Sequence, residues 1–112
     1  MDILFSTNKM TKACNDSKER IKVFGPERAK KLGIRLDQMR VSSSLQVFKS
    51  VHPRCHPLTG NRAGQWSADL DSPYRLLFEI ADEPLPLDEY GNINLVEVRK
   101  VRIIDVADTH AN

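Results

Sequence analysis

The chain has 112 residues, 40% hydrophobic and 29% charged, which is enough for one core and too little for two, so a single domain over residues 1–112 is expected. This balance excludes wholesale disorder, and no apolar run approaches the ~20 residues that span a bilayer. The net charge of +2 hides an asymmetry: residues 1–68 hold 13 Lys+Arg against 5 Asp+Glu, a net of +8, whereas residues 69–112 hold 4 against 10, a net of −6.

A basic front half suits a nucleic-acid backbone, and equally it can be balanced by the acidic half within the fold. The opening Met1-Asp2-Ile3-Leu4-Phe5 lacks the basic region and long apolar stretch of a secretory signal, so the cytoplasm is the expected compartment. Cys14 and Cys55 lie far apart without CxxC spacing. They read either as two buried or idle thiols or as one long-range disulfide, with no zinc site.

From Asp2 to Ser6 a short apolar run predicts a strand, and Ser6-Thr7-Asn8 supplies helix-capping chemistry. Met10, Ala13, Cys14, Ser17, Ile21 and Phe24 recur at three and four, predicting one helix from about Asn8 to Gly25. Pro26 fits the first turn of a second helix with the stripe Ala29, Leu32, Leu36 and Met39. So tight a connection predicts an antiparallel helical hairpin whose apolar side needs a sheet or another helix to cover it. Ser42-Ser43-Ser44 ends it, Leu45 to Lys49 add one short turn, and residues 50–61 read as irregular. His52, Arg54, His56 and Arg62 gather there, but Pro53 and Pro57 deny His52-x3-His56 the helical geometry of a metal pair.

A β-hairpin follows. Trp66, Ala68 and Leu70 alternate, Asp71-Ser72-Pro73 turns the chain, and Tyr74, Leu76, Phe78 and Ile80 resume the alternation, so these seven should face the core. The same phase sends Gln65, Ser67, Asp69, Arg75, Leu77 and Glu79 to a face that need not be covered. Residues 82–94 form an acidic excursion, either solvated or placed against a basic face or a partner. From Leu95 to Ala107 the chain is β-branched again, and its phase slips between Ile103 and Ile104, indicating a strand buried on both faces or one with a bulge. Asp108-Thr109-His110 closes it. The expected fold class is α+β, in the order β-α-α-β-β-β, with the helical hairpin on one face of a small, mostly antiparallel sheet.

Three segments carry a family resemblance: His56-Pro57-Leu58-Thr59-Gly60-Asn61-Arg62-Ala63-Gly64-Gln65-Trp66-Ser67, then Tyr74-Arg75-Leu76-Leu77-Phe78, then Val106-Ala107-Asp108-Thr109-His110. With Ala29-Lys30-Lys31-Leu32 and Arg35-Leu36 they resemble, nearly end to end, the HigB-type (plasmid-maintenance killer) branch of the RelE/ParE toxin superfamily. The resemblance implies a microbial-ribonuclease-like fold and a toxin that cuts messenger RNA on the ribosome, without cofactor or metal. It also implies silencing by a helix-turn-helix, HigA-like antitoxin, with operator DNA reached only through that complex and no membrane partner.

Residue by residue, the resemblance assigns His56, Arg75, Asp108 and His110 to catalysis, and Arg54, Arg62 and Gln65 are the expected RNA contacts. Scission by the neighbouring 2′-hydroxyl needs a base, an acid and positive charge at the phosphate. Arg75 suits the phosphate, His56 and His110 the two proton transfers in either order, and Asp108 the orientation of an imidazole or of the substrate. Thr109 stands where the family has tyrosine and Thr59 where lysine is common, removing a stacking platform and a phosphate contact. Two other readings remain: a ParE-like toxin that binds a protein such as DNA gyrase, and a degenerate toxin that retains only antitoxin binding.

Overall fold

The computed structural model describes residues 1–52 and 54–109. Strand β1 (Asp2–Phe5) leads into helix α1 (Asn8–Asn15), which opens on Thr7, whose hydroxyl accepts from the Met10 N–H at 3.1 Å. The single helix expected to run to Gly25 is two. Asp16 closes α1 by donating its N–H to the Lys12 carbonyl, and its carboxylate accepts from the N–H groups of Lys18 and Glu19 to open α2 (Ser17–Phe24). The apolar stripe breaks there as well: Met10, Ala13 and Cys14 are buried, whereas Ile21 is 49% exposed and Phe24 only half-buried.

Gly25, at φ +80°, donates its N–H to the Ile21 carbonyl and turns the chain into α3 (Pro26–Val41). Helix α3 buries the expected Ala29, Leu32, Leu36 and Met39. The short turn expected after the serines is a complete helix, α4 (Leu45–Val51), capped by the Ser44 hydroxyl and burying Leu45 and Phe48.

The sheet has five strands in the order β1-β5-β4-β3-β2, where β2 is His56–Pro57, β3 Gln65–Asp69, β4 Tyr74–Ile80 and β5 Lys100–Asp108. Among the described residues only the β1–β5 pair is parallel. Strand β2 lies in the stretch expected to be irregular, and its edge position tolerates Pro57, which lacks an N–H to donate. The fold is thus α+β as expected, with two helices and one strand more than the six-element order.

On one face of the sheet Trp66, Ala68, Leu70, Leu76 and Phe78 are buried against the helices, while Tyr74 and Ile80 are half-buried. Phe78 receives the Phe48 ring edge-on at 6.3 Å and stacks on Trp66 at 6.4 Å. The phase slip in the last strand is a bulge: Leu77 stands opposite Asp105 and Phe78 opposite Ile103, leaving Ile104 as the extra residue. The acidic excursion is pinned at its base by Asp82, whose carboxylate accepts from the Arg99 and Lys100 N–H groups. Cys14 and Cys55 are buried free thiols. Among the described residues no helix is long and apolar enough to cross a membrane.

Candidate functional site

Cross-strand partners share a face, so the register defines what the second side of the sheet displays. One row runs His56, Ser67, Leu77, Asp105; the next runs Asp69, Arg75, Ala107; a third pairs Gln65 with Glu79 and Arg102. His56 and Arg75, remote in sequence, are therefore on the same face. Two strand spacings and one pleat put their Cα atoms about 12 Å apart. The face is less open than alternation implied, because Ser67 and Leu77 at its centre are 0% and 1% exposed.

Around Arg75 the dominant feature is a carboxylate that the sequence reading left among the polar neighbours. Arg75 Nη1 donates to Asp69 Oδ1 at 2.7 Å, and Arg54 Nε lies 2.5 Å from Asp69 Oδ2. Arg75 is mostly buried, its side chain 15% exposed, whereas that of Arg54 is 72% exposed. From α3, Arg35 Nε donates to the Asp69 carbonyl at 2.8 Å. Asp69 thus gathers three guanidiniums, and a small pocket of about 120 Å³ lined by Arg54, Asp69, Ser72, Tyr74 and Arg75 opens beside it. Further along the same face Arg102 is likewise paired, with Glu79 at 2.8 Å.

A second concavity, of about 420 Å³, is lined by Leu58, Thr59, Asn61, Arg62, Gln65 and Thr109. It brings together two of the three expected RNA contacts, Arg62 and Gln65, whose side chains meet at 3.4 Å. The third, Arg54, belongs to the Asp69 cluster. Asp108 is not beside Arg75: it stands opposite Tyr74, one step out of phase with Ala107, on the side that carries Leu76 and Phe78. Thr109 then lines the groove, while His110 lies outside the described residues.

His56 is exposed, and its Nδ1 lies 3.1 Å from the Pro57 carbonyl. A carbonyl only accepts, so in the neutral ring this hydrogen bond puts the proton on Nδ1 and leaves Nε2 with its lone pair. His52 has a different character. It ends α4 with its ring 6.0 Å from Phe48, and its pKa is lowered from 6.5, first by burial and then by the charge of Arg35. Its Nε2 is buried without a hydrogen-bond partner among the described residues. There too, no cluster of His, Cys, Asp or Glu could hold a metal ion.

Two members of the site, Asp69 and Arg35, were not among the expected site residues. The signal for Asp69 was present in the hairpin, since a turn centred on Asp71-Ser72-Pro73 places Asp69 opposite Arg75. Arg35 carried no such signal, because its contact depends on how α3 lies on the sheet. Compared with known proteins, the sequence matches no protein-family model and no curated protein.

Proposed function

We propose that this protein is an RNA-cleaving toxin of the HigB type within the RelE/ParE superfamily, cutting messenger RNA on the ribosome and thereby stopping translation. The observation that carries the reading is the presence of His56 and Arg75 on one sheet face, beside a groove lined by Arg62, Gln65 and Thr109. The three family-like segments, dispersed in sequence, all contribute to this side of the molecule.

The chemistry follows from the atoms available. Nε2 of His56 takes the proton of the 2′-hydroxyl, whose oxygen attacks the adjacent phosphorus; the bond to the leaving 5′ oxygen breaks, and a cyclic phosphate remains. Arg75 balances the charge that builds on the phosphoryl oxygens, where a planar guanidinium reaches two of them. His110 is assigned the protonation of the leaving oxygen. Asp108, held opposite Tyr74, marks where the chain leaves the sheet. Arg62 and Gln65 hold the strand in the groove. A helix-turn-helix antitoxin silences the protein in the cytoplasm, covering the basic front half or the open sheet face.

Induction in growing cells, followed by mapping of transcript ends, tests the reading. Cut transcripts that become intact with His56→Ala and Arg75→Ala support it. Growth arrest with intact transcripts and DNA damage, unaffected by His56→Ala, would replace it with the gyrase-binding alternative.

A further inference from the structure

We infer that Asp69 is a built-in stand-in for RNA phosphate: in the free protein its carboxylate fills the anion position shared by Arg54 and Arg75, and a backbone phosphate must displace it to engage them. The inference rests on the RNA reading above and concerns the regulation of that site. Asp69 Oδ1 and Oδ2 each take a different guanidinium, at 2.7 Å from Arg75 and 2.5 Å from Arg54. Two oxygens of one anion bridging two arginines is also how a phosphodiester would be held. The pocket beside the carboxylate adds the side chains of Ser72 and Tyr74, both able to donate to phosphate oxygens.

Geometry favours a device that can let go over one that only braces the fold. Arg54, on the segment before β2, is exposed and free to swing with a displaced partner. The Asp69 backbone is held independently by the β3–β4 pairing and by Arg35, so its side chain can rotate away without unravelling the strand. Because the Asp69 carboxylate already offsets one of the two guanidinium charges, exchanging one anion for another releases few counterions. RNA binding should therefore be weaker, and less sensitive to salt, than the number of arginines on this face would suggest.

The test compares wild type with Asp69→Asn, each confirmed as folded, for binding to a short fluorescein-labelled oligouridylate across a range of potassium chloride. Asp69→Asn should bind about tenfold more tightly at low salt. Its plot of log affinity against log salt should steepen by about 0.7, the slope for the one phosphate that the two freed arginines jointly engage. Asp69→Glu, which keeps an anion, should retain the wild-type slope, and Asp69→Ser should reproduce the steepening if the amide variant does not fold. Binding by wild type that is lost in Arg75→Ala but unmoved in Asp69→Asn overturns the stand-in role alone. Absence of binding by both wild type and Asp69→Asn overturns the stand-in role, and the RNA reading falls with it only if messenger RNA on programmed ribosomes also stays intact.

Discussion

Asp69 and Arg75 face each other directly across the β3–β4 hairpin, carboxylate to guanidinium at 2.7 Å, at the end of the sheet where Arg54 closes in from the chain leading to β2. Arg75 is therefore held in place before any substrate arrives, and its rotamer entropy is already spent. The same contact occupies Arg75 until a phosphate takes the carboxylate's place, so its charge meets a developing anion only after that exchange.

Arg75→Lys keeps one positive charge but gives up the planar fork. RNA cleavage is expected to fall by about 10²- to 10³-fold, the range for loss of one oriented donor to a developing anion. Melting temperature should change little, since the ammonium can still reach Asp69. Comparison of initial cleavage rates with thermal melts checks both halves.

Asp16 ends one helix and begins the next, accepting from the N–H groups of Lys18 and Glu19 at 2.9 and 3.4 Å. Asp16→Ala should cost about 1 kcal/mol of stability, the usual value of an N-cap, with no loss of cleavage activity. Urea denaturation measures it.

His52 titrates below its ordinary value because burial and Arg35 disfavour its charged form. As pH drops through 6.5 the unfolded chain binds a proton that the native protein declines, so stability should decline on acidification below about pH 6.5. His52→Gln should flatten that part of the curve of unfolding free energy against pH.

At the alkaline end the buried thiols act with the opposite sense. Burial pushes Cys14 up to about 11 and Cys55 up to about 12, from an ordinary 9.0. Above pH 9 the unfolded thiols lose protons that the native ones keep, so each thiol should lower stability by about 1.4 kcal/mol per pH unit until its native pKa is reached. Thiol-reactive dyes at pH 8 should label neither cysteine until denaturant is added.

What could be read from the sequence followed the two periodicities. Alternation over Trp66–Leu70 and Tyr74–Ile80 assigned both faces of the hairpin, and it placed Asp69 and Arg75 on the same side. The phase slip at Ile103/Ile104 became the bulge opposite Leu77 and Phe78. The split at Asp16 was hidden because Ser17, Ile21 and Phe24 continue the spacing of Met10, Ala13 and Cys14, and only the capping side chain marks the change of direction. Strand β2 comprises two residues, one of them proline, and owes its existence to β3 rather than to its own propensity. Burial of Ser67 and Leu77 depends on tertiary crowding over the second face, to which a period of two is blind.

The most direct test places purified protein on ribosomes programmed with a defined messenger RNA and identifies the chemical end of the upstream fragment. Cleavage should leave a cyclic phosphate, the product of attack by the neighbouring 2′-hydroxyl, and should be lost in folded His56→Ala and Arg75→Ala. Intact messenger RNA, or cleavage that persists undiminished in both variants, would contradict the RNA reading.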